Sequence, residues 1–539
     1  MRFSAFRNAS LVLQNMLANA AMKRSISREV NMRDVTMANT EPAQPTVMEA
    51  DLEEALKFAG AGRYQFLHGS LMLVTILAAV LEMIGVAFTL PAAACDLNVP
   101  DNLKGILTSL PNIGVILTAP FWGRAADSLG RKPVLLYSLA GSGTLAFIAA
   151  FMPNLISFAV FKFASSLFLS CPSSLGYAYA SEMLPRHRRD FAVLIMNALV
   201  NVLTALTPGL AWIILPYSWQ YDWGFIEMRP WRLLTAVYAL PLLVMALCLI
   251  TVDESPKFLM TRGKDAQALE VVKRIYSVNT GMPQDSYCVK FLKSSMETDS
   301  DGGSGCELTT SKTRVSSLAL LRPPHLKWFA LTSVLMFGLF SFLNGLFLFA
   351  PDTINKVMSN PTSSGTVCEL IVQPDNSTST TECVDAMTGN TFYIMVVTTV
   401  VYGALVTAAS MSPLSKKTLL VSMFITVGIG CLVAALSTNR IVAGIAMSSL
   451  QITALGIGPL TAYVVALFPT CLRGTAVGGV MMFGRLGSVV GANIAGMLLN
   501  AACMFTFYGF TALVLLCAGL SFLLPAEQTT KQTHNSSDS

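Results

Sequence analysis

Three ionisable side chains stand inside long apolar runs, where they could do chemistry: Glu82, Lys162 and Arg485. A charge near the centre of a lipid-spanning helix costs about 2.5–3.5 kcal/mol on insertion scales, so such a residue needs a partner or a task. At about 1.5 Å per residue, Glu82 lies about 22 Å along the first run, Lys162 about 10 Å along the fourth, and Arg485 near the middle of the eleventh. Asn112, Tyr177, Asn197, Asn201, Asn344, Tyr393 and Tyr463 occupy similar runs. Each is open to two readings, a cavity lining or a helix–helix contact.

These residues need membrane helices to position them. Apolar residues make up 53% of the 539-residue chain and charged residues 12%, against about 25% in soluble domains. The length leaves room for about twelve spans of some 20 residues. The apolar runs read as an all-α membrane protein with twelve transmembrane helices in two six-helix bundles. The expected layout is an N-terminal tail over 1–62, a first bundle over 63–252, a polar linker over 253–325, a second bundle over 326–524 with a long loop at 351–390, and a C-terminal tail over 525–539. The eleven cysteines form no C-x-x-C and the four histidines no ligand cluster, so neither metal nor cofactor is expected. The net charge of +5 makes no case for nucleic acid.

Lys and Arg crowd alternate loops: Arg124, Arg131 and Lys132; Arg186, Arg188 and Arg189; the linker; Lys416 and Lys417; Arg473. The positive-inside rule then makes both termini cytoplasmic. The 351–390 loop falls on the other side, where Asn376-Ser377-Thr378 is a glycosylation acceptor. Cys368 and Cys383, close in sequence and in an oxidising compartment, read as a disulfide. The acid-free first 28 residues also fit a mitochondrial presequence, but the loop chemistry favours the secretory route.

One charged stretch, Gly123-Arg124-Ala125-Ala126-Asp127-Ser128-Leu129-Gly130-Arg131-Lys132-Pro133, joins the second and third runs and reads as a short turn. It resembles the loop 2–3 signature of the major facilitator superfamily, G-x-x-x-D-x-x-G-R-K/R. Ser181-Glu182-Met183-Leu184-Pro185 with Arg188, Asp253-Glu254-Ser255-Pro256, and Phe468-Pro469-Thr470 with Arg473 resemble further motifs of its sugar and organic-ion branch. Glu82-Met83-Ile84-Gly85 through Leu90-Pro91, and Phe349-Ala350-Pro351-Asp352-Thr353-Ile354, are similar to the first and seventh spans of synaptic vesicle glycoprotein 2 and its relatives. Departures fall at charged positions: Ala79 and Ala466 stand where relatives carry acids, Lys162 where they carry arginine, and Ser412 to Lys417 where a second copy of the loop motif would lie.

The resemblance implies an alternating-access transporter of a small organic solute, most naturally an organic ion, in a plasma or secretory or synaptic-type vesicle membrane. Its partners would be the bilayer, the solute, and protons or another coupling ion. Glu82, Lys162, Arg485, Asn344, Tyr177 and Asn197 become candidates for solute or coupling-ion contact, with Glu82 and Lys162 on neighbouring spans. Gly123, Asp127, Gly130, Arg131, Lys132, Glu182, Arg188, Glu254 and Arg473 become the cytoplasmic gate. A transporter-shaped receptor or trafficking protein that moves no solute is the alternative. No phosphate loop, H-E-x-x-H or G-x-S-x-G supports an enzyme.

Overall fold

A computed structural model describes residues 48–217, 219–293, 322–323, 325–359, 365–372, 389–410, 412, 414–468 and 470–525. Among the described residues, the long apolar runs form twelve helices long and apolar enough to span a bilayer. We number them α1 (Arg63–Ala93), α2 (Leu103–Leu129), α3 (Arg131–Ala149), α4 (Leu155–Glu182), α5 (Arg186–Ile214), α6 (Pro230–Leu249), α7 (His325–Met358), α8 (Gly389–Ala409), α9 (Lys416–Leu436), α10 (Arg440–Leu467), α11 (Leu472–Ala501) and α12 (Cys503–Ser521). In a bilayer every backbone polar group must be satisfied within the chain, which is why such runs become helices. Polar caps mark several starts: Asn154 accepts from Ser157 N on α4, Ser415 from Thr418 N on α9, and Asn439 from Ile441 N and Val442 N on α10.

Helices α1–α6 pack on one another, as do α7–α12, with α2–α11, α5–α8 and α1–α7 making the contacts between the two sets. The core holds fully buried rings such as Phe158, Trp231 and Tyr238 in the first set and Phe342, Phe424 and Phe507 in the second. Helix α10 is interrupted by a 3-10 segment, Leu450–Gly456. A small hairpin before α6 pairs Tyr221 with Met228 and Asp222 with Glu227. Strands Met48–Ala50 and Val289–Leu292 form another two-stranded sheet.

The structure departs from the sequence reading in three places. First, residues ahead of α1 are not all irregular tail: Leu52–Ala59 is a helix that buries Leu52, Ala55, Leu56 and Ala59. It packs on a linker helix, Asp265–Thr280, and Tyr287 Oη donates to Ala55 O at 2.6 Å. Second, the charged stretch is hardly a turn. The second helix runs on to Leu129 and α3 starts at Arg131, so Gly130 alone makes the corner, at φ +112° and ψ +163°. That backbone region is essentially reserved for glycine. A Cβ there would also lie 2.3 Å from Glu254 Oε2.

Third, Cys368 is bonded to Cys503, not to Cys383. The two lie 135 residues apart in sequence, yet the helix Val367–Val372 and the start of α12 meet in space. Cys95, which follows α1, is also disulfide-bonded. Cys383 and Asn376 lie outside the described residues.

Two predictions follow from these corners. Gly130→Ala should destabilise the protein by about 1–3 kcal/mol, the usual cost of a strained backbone region. Gly123→Ala, in open space, should be near neutral; thermal melting in detergent compares them. Peptide mapping without reduction should link Cys368 to Cys503, and Cys503→Ser should free Cys368 for thiol labelling. A Cys368–Cys383 peptide would contradict the structure.

Candidate functional site

Glu82 on α1 and Lys162 on α4 meet. Lys162 Nζ donates to Glu82 Oε1 at 2.5 Å, and the residues are only 4% and 9% exposed. The second carboxylate oxygen, Oε2, is buried without a hydrogen-bond partner. A cavity of about 10 Å³ borders the pair, lined by Leu110 and Pro111 of α2 and Ser165 and Ser166 of α4 among others. That is space for about one water and for no organic solute. In this conformation the pair is sealed away from solvent, with one carboxyl oxygen left without a hydrogen-bond partner.

Arg485 sits on the other side of α2. Its Nη1 donates to Asn112 Oδ1 at 3.0 Å, and its guanidinium carbon lies 5.4 Å from the Phe340 ring centre. No acidic side chain pairs with it among the described residues. Pro111 and Asn112 are consecutive: one lines the cavity of the ion pair, and the next holds Arg485. Helix α2 therefore borders both charged sites. Nearby polar contacts run along the same helices: Asn344 Nδ2 donates to Ser488 Oγ at 2.9 Å and Asn493 Nδ2 to Ser109 Oγ at 3.4 Å.

The remaining candidates disperse. Tyr177 and Asn197 face each other at 3.5 Å between α4 and α5, and Asn201 Nδ2 donates to Asn197 O. Tyr393 is exposed against Trp212, and Tyr463 is buried with its hydroxyl 3.4 Å from Pro525 O.

The gate motif is assembled within the first six helices and the segment after them. Arg131 Nη2 lies 3.2 Å from Glu182 Oε1, and its Nη1 donates to Ala126 O at 2.7 Å and to Asp127 Oδ1 at 3.1 Å. Glu254 accepts from the backbone N–H of Arg131 and Lys132, at 3.0 and 3.2 Å, capping α3. Burial pushes the Glu254 carboxyl above its ordinary range, while these N–H groups, that of Ser255 and the Arg131 charge pull the other way. Lys132 Nζ donates to Ile250 O. Asp127 is left with a side chain 77% exposed.

Two expected gate members do little in this conformation. The exposed Arg188 side chain bonds the neighbouring His187, and Arg473 turns back on Phe468 O. The neighbour Arg189 is the connected one: it donates to Ser181 O and Leu184 O and reaches Glu53 at 2.6 Å. Glu53 also accepts from Arg186 N at the start of α5. Motif spacing pointed to Arg188. The acid in the helix ahead of α1 was the missing signal.

Between the two helix sets, α2 and α11 are pressed together at one end. A Cβ on Gly105 would lie 2.8 Å from Ala492 O, and one on Gly496 2.6 Å from Gly105 Cα. At the end bearing the charged motif, Phe121 and Leu129 of α2 and Arg473 and Gly474 of α11 are exposed. The assembly is shut on the disulfide side and uncovered on the basic-loop side.

Comparison with known proteins agrees with this architecture. The family model described as Major Facilitator Superfamily matches residues 71–371. Synaptic vesicle glycoprotein 2C of Mus musculus is 30% identical over 254 residues, 46% of this chain and 35% of that protein. Synaptic vesicle glycoprotein 2A of Rattus norvegicus is 28% identical over 252 residues, 46% of this chain and 34% of that protein. The chain thus spans about a third of the length of these relatives in the aligned region. Among solved structures, a partially occluded inward open conformation of the xylose transporter XylE from E. coli gives a TM-score of 0.61 at 15% identity, covering 87% of this chain and 99% of that one. The nucleoside transporter NupG gives 0.54 at 12% identity, covering 85% and 98%. These likenesses are of fold. Because the family model spans more than half of the chain, and twelve helices pack in the same fold, this integral membrane protein belongs to the Major Facilitator Superfamily.

Proposed function

We propose that the protein is a secondary transporter that carries a small organic solute across its membrane by alternating access. The observation that carries this reading is the asymmetry of the α2–α11 contact, sealed at Gly105 and Gly496 and uncovered beside Asp127. Rocking of two packed bundles about a midplane site would exchange the two ends. The gate charges are stored within the first bundle, with Asp127 exposed and available to a new partner when the uncovered end closes.

Glu82 and Lys162 serve as the coupling pair in this scheme. Their cavity admits a water or a proton but no solute. Protonating Glu82 would leave Lys162 uncompensated in low dielectric and so bias the packing of α1, α2 and α4. Pro111 and Asn112 would carry that bias to Arg485. The basic-loop side is cytoplasmic in this reading, with both termini there. Disulfide chemistry supports the assignment: Cys95, Cys368 and Cys503 are bonded at the opposite side, while Cys171, Cys248, Cys431 and Cys517, within spans, are free. Plasma membrane and vesicle membrane both satisfy that topology.

Two measurements test the reading. In proteoliposomes, wild type should take up at least one member of a radiolabelled panel of organic anions, organic cations and sugars, and Glu82→Gln should abolish its proton dependence. No uptake of any class by folded, correctly inserted protein would favour a receptor-like role instead. In detergent, Glu82→Gln or Lys162→Met alone should destabilise by about 3–5 kcal/mol, as expected for orphaning one buried charge. The double variant should recover most of that loss. Additive losses would show that the two side chains are not coupled.

A further inference from the structure

Helices α7 and α11 press together through their middle turns and part toward the basic-loop end. A Cβ on Gly487 would overlap Phe337 O, and one on Gly491 would overlap Ser341 O, so there the two backbones touch. Nearer the basic loops they leave a groove of about 430 Å³, walled by Leu326, Ala330, Val334 and Phe337 of α7 and by Phe483 and Leu486 of α11. The rings of Phe329 and Phe483 meet edge to face across the helix pair, with centroids 6.1 Å apart. The volume is that of a site for an organic molecule. The walls are apolar with one exception. Ser333 lines the groove, is 4% exposed, and its hydroxyl has no hydrogen-bond partner among the described residues. Neighbouring hydroxyls on this helix are satisfied: Thr332 donates to Trp328 O and Ser341 to Gly487 O. An unpaired buried hydroxyl costs free energy that a polar group in the groove would recover.

The groove opens to lipid and not to the gap between the bundles. Exposed apolar residues of α11 form one stripe, Phe483, Leu486, Val490, Ile494 and Met497, spaced three and four apart. The stripe runs on past Gly496, where α2 and α11 are sealed and no gap remains. A face exposed at that level meets acyl chains. The rim of the groove is basic. Arg322 and Lys327 are exposed at the start of α7, and Lys327 Nζ lies 5.1 Å from the Trp328 ring centre. Tryptophan and lysine at a helix end mark the level of the lipid headgroups. On α7 to α12 no acid offsets these cations at this end: α7 reaches none before Asp352, and residues 386–526 contain no Asp or Glu.

We propose that this groove binds an anionic phospholipid of the basic-loop leaflet. One acyl chain lies along the apolar walls, an ester carbonyl accepts from Ser333 Oγ, and the phosphate sits at Lys327 and Arg322. The depths fit this order. Ser333 stands six residues beyond Lys327, about 9 Å deeper along the helix axis, and the esters of a phospholipid lie deeper than its phosphate. A sterol would offer Ser333 a hydroxyl but leave the basic rim unanswered. A zwitterionic phospholipid would answer Ser333 but bring no net charge to the rim. The site requires only a membrane and stands apart from the transport reading.

The test uses the full chain, stripped of lipid in detergent and read by native mass spectrometry, with phosphatidylserine, phosphatidylcholine and cholesterol as probes. One phosphatidylserine should be retained saturably and in preference to the other two. Arg322→Gln with Lys327→Gln should weaken that retention about tenfold or more, since each cation near a membrane surface is worth about fivefold, and should erase the preference over phosphatidylcholine. Ser333→Ala should weaken both phospholipids by about two- to tenfold, the scale of one hydrogen bond, and leave the preference intact. Val334→Trp should fill the groove and prevent retention; Val334 is 49% exposed, so folding should be spared, and a thermal melt checks this. Should that variant not fold, wild type photolabelled with phosphatidylserine carrying a diazirine in one acyl chain should be tagged at Val334, Phe337 or Leu486. Tags spread evenly over the exposed apolar faces of the other helices overturn the proposal. So do retention indifferent to Val334→Trp, equal retention of phosphatidylcholine by wild type, cholesterol held in place of phosphatidylserine, or no lipid retained at all.

Discussion

The low dielectric of the bilayer interior is the constraint on which the rest of this structure depends. A charge there must be paired, hydrated or matched by a ligand. Glu82 and Lys162 satisfy the requirement with each other, at 2.5 Å and almost wholly buried. Arg485 satisfies it only in part, through one amide and one aromatic ring. The first arrangement is closed. The second leaves the guanidinium with no acidic partner among the described residues. Helix α2 borders both, through two consecutive residues, Pro111 and Asn112.

Close packing turns this local chemistry into a property of the whole molecule. Gly105 and Gly496 bring backbones together with no room for a side chain, so the seal is a fit of shapes that is either made or broken. The gate charges behave differently. Arg131, Glu182 and Glu254 hold one another and the start of α3 within a single bundle, independent of the partner bundle.

Much of this was legible in the amino-acid sequence, for physical reasons. Span number follows from the length of apolar runs, since a bilayer enforces helix over about 20 residues. Glu82 and Lys162 were readable as similar in depth on helices running in opposite directions, and the family resemblance made those helices neighbours. The motif residues around Asp127 announced the family. What was not legible depended on distances in space between segments far apart in the chain. Cys383 was the nearer cysteine in sequence, but Cys503 is the one folded against Cys368. The helix Leu52–Ala59 carries apolar residues at i, i+3, i+4 and i+7, yet eight residues amid charge gave too short a pattern to stand out from a tail. Arg188 matched a motif while Arg189 made the contacts, because only the fold shows where Glu53 lies. Gly123 and Gly130 looked equivalent, and only the second is demanded by backbone geometry.

The central claim is that the uncovered end of the α2–α11 contact closes during the working cycle. Spin labels on Phe121→Cys and Thr475→Cys, both exposed positions, with Cys288 replaced, measure it directly by pulsed dipolar spectroscopy. The account predicts two distance populations, the shorter one enriched or depleted by a change of pH or by solute. One unchanging distance under all such conditions, in protein that still binds or moves its solute, would contradict alternating access at this interface.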